Sequence, residues 1–247
     1  MKNITLSLLG LIAFSTTATA QEVKFGPKAG VNFANINGTF FDSEYPEDQV
    51  KIDKGTTGFH IGAFAEIKLN DKFSIQPEFL YSTQGGKSIE SESSTEYIFG
   101  MPLTYEIEGE MKWDLHYINV PIMAKYYVIP NLAIEAGPYV GFNIKSEWKI
   151  EYSSSMTFEG ETENQSVKST EDVKKGTNSI DFGLGIGASY NMDNGFFAAV
   201  RYNVGLSEVG KDFTFAEVDE DGVQYETYLK TDGIKNGVFQ VSIGFKF

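Results

Sequence analysis

Residues 180–190 read IDFGLGIGASY, residues 196–205 read FFAAVRYNVG, and the short segment NMDNG connects the two stretches. Apolar side chains occupy every second position in both stretches, which is the period of a β-strand. In the first stretch the alternate positions include Gly183, Gly185 and Gly187. Glycine weakens a strand unless another group must approach its backbone closely. The two stretches therefore predict paired strands whose glycine-lined face meets long side chains inside a narrow barrel.

The same two-residue period recurs along the chain and gives eight segments in all. The other six segments are 23–33, 59–69, 73–82, 117–126, 132–145 and 239–247. Three short connections alternate with four long ones, which are 34–56, 85–112, 149–178 and 207–235. Short turns at one end and long loops at the other predict an all-β fold, an eight-stranded antiparallel up-and-down barrel with both termini at the short-turn end. We expect β-ribbon extensions in the second and fourth long loops and a mobile third loop between Tyr152 and Thr177.

The positions of the charged residues indicate which face of this barrel meets water. A soluble barrel turns its apolar set inward around a ligand, whereas a transmembrane barrel turns that set outward to lipid. No charged residue of the eight segments falls in the apolar set. Aromatic residues cluster at both ends, as at the two interfaces of a bilayer: Phe73, Tyr127, Phe196, Phe245 and Phe247 at the short-turn end, and Phe33, Phe59, Tyr81, Trp113, Tyr117, Trp148 and Tyr202 at the other. Strands of about ten residues cross a bilayer when tilted, so we predict a transmembrane barrel.

The first 20 residues, MKNITLSLLGLIAFSTTATA, have the pattern of a cleaved secretory signal peptide. Lys2 gives the positive start, a short apolar stretch follows, and Ala18-Thr19-Ala20 is a small-residue cleavage site. The apolar stretch is too short to span a bilayer as a retained anchor. We predict cleavage after Ala20, which leaves residues 21–247 as an outer-membrane β-barrel domain.

Composition excludes several classes of function. The 247 residues include no cysteine, so disulfides, zinc–thiolate sites and thiol nucleophiles are excluded. The formal net charge is −14, from 34 acidic and 20 basic residues. This charge argues against nucleic acid as a partner, because phosphate binding requires a basic surface. Of the acidic residues 25 lie in the four long loops, together with only 11 basic ones, which predicts acidic loops on a nearly neutral barrel.

The charged residues of the polar set predict an ion-pair network inside the barrel. Eight strands enclose an interior that side chains fill, and buried charges are usually paired. The predicted network, which we interpret as structural in preference to a gated ion path, consists of Lys28, Glu66, Glu78, Lys125, Glu135, Lys145, Asp181 and Arg201.

Catalytic and metal-binding patterns are weak in this sequence. His60 faces inward and could reach Ser82, but a lone inward histidine is more typical of a hydrogen-bonded lumen residue than of a general base. Residues 217–222, EVDEDG, resemble half of a calcium loop, but Tyr228 stands where a bidentate glutamate is needed. Asp221-Gly222 is better interpreted as a hairpin turn. We predict that the protein is not an enzyme and has no cofactor and no metal site.

Six motifs, in chain order, resemble the PorT-like outer-membrane β-barrel domain of Bacteroidota, a family with OmpA/OmpX-like eight-stranded barrels. The motifs are FGPKAGVNF (25–33), QPEFLYS (76–82), YINVP (117–121), KYY (125–127), GPYVG (137–141) and RYNVGLS (201–207). The terminal Phe247 resembles the C-terminal aromatic residue that the outer-membrane assembly machinery recognises. The resemblance implies an outer-membrane location and an eight-stranded barrel, but it does not imply one activity.

The sequence leaves more than one function open. The leading hypothesis is a monomeric, non-catalytic barrel in the lipid bilayer of the outer membrane, with periplasmic termini and acidic loops that contact a protein or surface partner. The second is a subunit of a secretion or envelope-assembly complex, as some PorT-like members are. A narrow channel and a lipid-modifying enzyme are the remaining alternatives.

Overall fold

The computed structural model describes residues 22–42, 49–218 and 224–247. The predicted signal peptide and the predicted turn at Asp221-Gly222 lie outside these residues. The described residues form eleven strands and one short 3-10 helix, Lys174–Gly176. The strands are β1 Val23–Asp42, β2 Gln49–Ile52, β3 Lys54–Lys68, β4 Phe73–Ile98, β5 Met101–Ile129, β6 Leu132–Phe158, β7 Glu161–Asp172, β8 Ile180–Asn191, β9 Phe196–Gly205, β10 Phe213–Val218 and β11 Gln224–Phe245.

Eight of the strands close into a ring. The order around it is β1-β3-β4-β5-β6-β8-β9-β11, and β11 returns to pair with β1, every pairing being antiparallel. A closed ring leaves no strand edge exposed to lipid. The predicted all-β, eight-stranded up-and-down barrel is therefore confirmed. No helix in the described part of the chain is long and apolar enough to cross a membrane.

The outer surface of the ring is apolar and its interior is polar. Phe25, Ile61, Ile134 and Ile243 are exposed on the outside, while the residues between such positions are buried inside, as the period of a strand requires. This is the predicted polarity of a transmembrane barrel. The upper aromatic rim differs in part from the prediction, because Trp113, Tyr117 and Trp148 are buried.

Three strands continue well beyond the ring. β4, β5 and β6 are 26, 29 and 27 residues long, and β7 pairs with the extension of β6. We call this four-stranded extension the outer sheet and define it as residues 88–98, 101–112, 149–158 and 161–172. The third long segment, which we expected to be a mobile loop, consists largely of strands, because residues of β6 from Glu147 to Phe158 pair with β5 on one side and with β7 on the other.

A bulge in β6 separates the ring from the outer sheet. His116 of β5 faces Lys145, but the next residue, Tyr117, faces Asn143, so Ile144 is an extra residue on the β6 side. An extra residue shifts the side-chain alternation by one position. Odd-numbered residues of β6 point inward below the bulge, and even-numbered residues, including Trp148, point inward above it.

Candidate functional site

Arg201 lies at the centre of a charged cluster in the barrel interior, which we call the ionic layer and define as Lys28, Glu66, Glu78, Lys125, Glu135, Arg201 and Lys246. Its guanidinium group donates two hydrogen bonds to Glu78, at 2.9 and 2.7 Å, and its Nε donates to Glu135 at 2.8 Å. Lys28 Nζ lies 3.1 Å from the same Glu78 carboxylate. Bidentate pairing of this kind is the strongest form of carboxylate recognition by arginine.

A second part of the ionic layer lies nearer the short-turn end. Lys125 donates to Gln76 at 3.0 Å and lies 3.6 Å from Glu66 and 4.0 Å from Glu135, so it links the two parts. Glu66 also accepts hydrogen bonds from Lys246 and Tyr127. Lys246 was not part of the predicted network, although it shares the inward parity of Ser242 and Gly244.

Lys145 does not belong to the ionic layer, contrary to the prediction. Its side chain is 53% exposed and forms an ion pair with Glu147 on the outside of the barrel, at 2.8 Å. The physical reason is the bulge at Ile144, which turns Ile144 and Lys145 both outward.

Asp181 is buried as predicted, but it is not paired with a cation. Its carboxylate accepts hydrogen bonds from Tyr139 Oη at 3.1 Å, Asn236 Nδ2 at 2.9 Å and the Ser207 hydroxyl at 2.5 Å. The strand register separates it from the ionic layer, since Arg201 pairs with Gly187 and not with the start of β8. Neutral donors hold this carboxylate, so its inclusion in the ion-pair network was wrong.

His60 is held by two partners other than Ser82. Its Nδ1 lies 2.7 Å from Asn32 Oδ1 and its Nε2 lies 2.8 Å from Ser242 Oγ. The expected contact with Ser82 is replaced, because the Asn32 amide donates to Ser82 at 2.9 Å. The arrangement is a closed hydrogen-bond network in which both ring nitrogens are engaged.

An apolar cluster lies in the mouth of the barrel above these polar groups. We call it the mouth cluster; its buried members are Ile36, Ile52, Trp113, Leu115, Tyr117, Trp148, Val173, Val209 and Ile234. Below it, a void of about 10 Å³ adjoins Leu80, Tyr139 and Arg201, which is about the space needed for one water molecule. This cluster was not predicted from the sequence, because five of its residues lie in segments interpreted as loops, and Trp113, Tyr117 and Trp148 were assigned to the upper aromatic rim.

The outer sheet has two chemically different faces. Trp113 and Trp148 point into the barrel mouth, so the face of the outer sheet on which they lie is continuous with the inner wall of the barrel. We call this the inner face and the opposite one the outer face. Ion pairs of the outer face include Lys87–Glu110 and Lys168–Glu151, at 2.7 and 2.6 Å.

Asp114 forms the most complete ion pair at the base of the outer face. Lys112 Nζ and Lys149 Nζ lie 2.7 and 2.5 Å from its carboxylate. Burial alone would raise the pKa of Asp114, but the hydrogen bonds from the two lysines outweigh it and hold that pKa below its usual value. The same contact raises the pKa of Lys149.

The closed ring, its apolar outer surface and its ionic interior define the class of outer-membrane β-barrels. The chain belongs to the outer membrane protein beta-barrel domain family, whose model matches residues 19–210. No curated protein sequence matches the chain.

Solved structures with a similar chain trace are outer-membrane barrels. Ail of Yersinia pestis is 12% identical, covers 92% of this chain and 99% of its own, and has a TM-score of 0.38. A major outer membrane protein from Thermus thermophilus is 13% identical over 92% of this chain and 100% of its own, with a TM-score of 0.40. OprG from Pseudomonas aeruginosa is 10% identical over 92% and 97%, with a TM-score of 0.40. Nothing about what this chain binds follows from similarities at this level.

Proposed function

We propose that this protein is a non-catalytic, monomeric outer-membrane barrel that anchors the outer sheet and presents it at the cell exterior for contact with another molecule. In this proposal the termini and short turns face the periplasm. The observation that carries the proposal is the outer sheet itself, because its strands continue past the ring and most of its side chains are exposed. A protein that needed only an anchor in the membrane would have no use for such an extension.

The interior of the barrel supports an anchor in preference to a channel. The ionic layer and the mouth cluster fill the described part of the lumen at two successive levels. Buried charges that hydrogen-bond one another cannot be separated without a large free-energy cost. The ionic layer is therefore proposed to be structural.

The contacts of His60 support a non-catalytic role. A general base must reach the proton of its nucleophile, whereas His60 is engaged with Asn32 and Ser242. Ser82 receives its hydrogen bond from Asn32 instead.

Delivery to the membrane completes the proposal. The signal peptide, residues 1–20, would direct export, and the outer-membrane assembly machinery would recognise Phe247. The Phe247 ring packs 6.0 Å from that of Phe25 and 5.0 Å from that of Phe245, so it extends the lower aromatic rim.

The orientation can be tested because the natural chain has no cysteine. Ser93→Cys places a thiol on the outer sheet, and Asp71→Cys places one in a short turn. In intact cells a membrane-impermeant maleimide should label the first variant at once and the second only after the envelope is opened. The reverse pattern would contradict the proposed exterior location of the outer sheet.

A second candidate is a subunit of a secretion or envelope-assembly complex, like PorT-like proteins of Bacteroidota. A groove of about 630 Å³ at the short-turn end favours this candidate, with Lys24, Lys68 and Lys72 among its lining residues. A partner bound there would contact the barrel from the periplasm.

Site-specific photo-crosslinking in the native membrane distinguishes the two candidates. A crosslinking residue replaces Ser93 on the outer face, Ser94 on the inner face or Asp71 in a short turn, each in a separate variant. A partner trapped only from position 93 or 94 supports the first candidate, and one trapped only from position 71 supports the second. The absence of any adduct from all three positions would contradict an interaction role.

A further inference from the structure

The inner face of the outer sheet carries an apolar stripe along two neighbouring strands. Directly opposite residues of antiparallel strands lie on the same face, so the register defines which side chains share it. The apolar side chains of the stripe are Leu103, Tyr105, Ile107, Met111, Ile150, Tyr152, Met156 and Phe158 from β5 and β6, and Val167 from β7. Ile107, Tyr152 and Val167 are 50%, 58% and 67% exposed. Exposed apolar groups that are contiguous mark a site of association.

Glutamates border the stripe on both sides. On β4, Glu92 lies opposite Ile107 and Glu90 opposite Gly109, and on β7, Glu163 lies opposite Met156. The complete set of acidic residues on this face is Glu90, Glu92 and Glu96 on β4 and Glu161, Glu163 and Glu171 on β7. The glutamates of β4 lie beside the middle and far part of the stripe, and those of β7 lie at its two ends, with Gln165, Val167 and Ser169 between them.

The basic residues of the outer sheet and of its base are all on the opposite face. Lys87, Lys112, Lys149 and Lys168 have the outer-face parity, and each forms an ion pair there. Along 88–98, 101–111, 150–158 and 161–171 the inner face has no lysine or arginine. None of the ion pairs among the described residues involves an inner-face glutamate. Lysines therefore offset part of the acidic charge on the outer face, whereas none lies among the six glutamates of the inner face, whose charge remains for a ligand.

We propose that the inner face binds an amphipathic, cationic helix of another protein, with its apolar side on the stripe and lysine or arginine residues on both flanks. This inference deepens the proposed function, on which it rests, by naming the class of partner. The dimensions fit one helix. Strands about 4.8 Å apart place β4 and β7 roughly 14 Å from each other, which matches a helix of about 10–12 Å diameter whose basic side chains reach outward.

The length of the stripe sets the length of the helix. Leu103 and Met111 are eight residues apart on β5, which is about 27 Å along a strand. A helix of about 18 residues has the same length. Amphipathic helices are commonly recognised in this way, because their apolar residues, at helical spacing, pack on an apolar surface.

The same charges disfavour the other occupants of an apolar surface. A second copy of the chain would bring a face with six glutamates against another with six, and like charges on facing surfaces repel. Anionic lipid headgroups would be repelled for the same reason. A cationic partner is attracted by the glutamates on both sides of the stripe.

The test uses the full-length protein, folded in zwitterionic micelles, and a labelled 18-residue helical peptide with leucine on one side and lysine on both flanks. Fluorescence anisotropy measures binding, with protein-free micelles as the background. Wild-type protein should bind the peptide above this background, and a peptide with glutamate in place of every lysine should bind at least tenfold more weakly. Equal binding of the two peptides, or no binding above background, would overturn the inference.

Matched variants locate the binding surface. Glu92→Lys/Glu163→Lys reverses two inner-face charges, and Glu106→Lys/Glu108→Lys reverses two on the outer face, so both change the net charge equally. The inner-face pair should weaken peptide binding at least tenfold, and the outer-face pair less than threefold. Equal losses would mean that overall charge and not this face attracts the peptide. Heat-modifiable gel migration checks that each variant is folded.

An apolar substitution separates the proposed occupant from self-association. Ile107→Asn should also weaken peptide binding at least tenfold while the protein stays monomeric in sedimentation. Wild-type dimers that this substitution dissociates would assign the face to a second copy and overturn the inference. Failure of the peptide to bind leaves the exterior crosslinking test at Ser93 unaffected, so the inference and the proposed function can fail separately.

Discussion

Replacing Arg201 with methionine should destabilise the folded barrel more than any exposed charge substitution. The change removes two hydrogen bonds to Glu78 and one to Glu135, while the apolar part of the side chain is kept. Glu78 retains Lys28 at 3.1 Å, but Glu135 retains only Lys125 at 4.0 Å. Removing one partner of a buried ion pair typically costs about 3–5 kcal/mol, because the other charge stays buried without compensation. We expect a loss of this size in the free energy of unfolding.

Urea unfolding of the refolded protein in micelles measures this loss. The two tryptophans, Trp113 and Trp148, are both buried in the barrel mouth and report unfolding by fluorescence. Lys149→Met is the matched control, because it breaks an ion pair with Asp114 whose lysine is about half exposed. Such a pair contributes at most about 1 kcal/mol.

A second substitution tests the cause of the loss. In Arg201→Met/Glu135→Gln the carboxylate that lost its main partner is neutral, so part of the lost stability should return. Non-additivity of this kind is expected for groups in one network. A loss of less than about 1 kcal/mol in the single variant, or a double variant no more stable than the single one, would refute the reasoning that the ionic layer is a coupled structural network.

Three further substitutions probe other parts of the fold. Gly183→Ala should lower the free energy of unfolding by about 1–3 kcal/mol, because a Cβ there would clash with the carbonyl oxygen of Val204; an unchanged urea midpoint contradicts this. Lys145→Met should change that free energy by less than about 0.5 kcal/mol. A loss as large as that of Arg201→Met would indicate that Lys145 lies inside the barrel after all. Asp114→Asn should cost about 1 kcal/mol or less at neutral pH, and the difference from wild type should shrink below about pH 4. A carboxylate with a depressed pKa stabilises the fold only where it is ionised, so a difference that is undiminished at about pH 3 excludes that origin.

The ring of strands could be predicted from the sequence because lipid and lumen impose opposite requirements on alternate residues. The stretch from Ile180 to Tyr190 shows this without exception, and the predicted barrel order and polarity are confirmed. The outer sheet has no such contrast, since water meets much of both faces. Ser153, Ser154 and Ser155 show no alternation, yet all three pair with β5 and β7. The sequence therefore predicted a loop where the structure has strands.

The charged interior was predictable as a set of residues but not as a set of pairs. Inward parity correctly places Arg201 and Glu78 inside the barrel. Their contact could not be predicted, because they are 123 positions apart. The tilt of the strands decides which inward side chains lie at the same height in the barrel. Parity also fails after a bulge, as it did at Lys145. Asp181 shows the remaining difficulty, because a buried carboxylate can be stabilised by neutral donors as well as by a cation.

The ionic layer and the inner face of the outer sheet differ in whether their glutamates form ion pairs, and this difference indicates different roles. In the ionic layer every glutamate contacts a lysine or arginine side chain of the chain itself, which stabilises the barrel and leaves nothing for a ligand. On the outer sheet the lysines are gathered on one face, so the glutamates of the other face lie beside exposed apolar side chains and form no ion pair with any other residue that the structure describes. Such a face is unfavourable for the isolated chain, because like charges repel along it and apolar groups meet water. A cationic amphipathic partner removes both costs at once, so in our proposal the six inner-face glutamates serve recognition at the outer sheet and not the stability of the barrel.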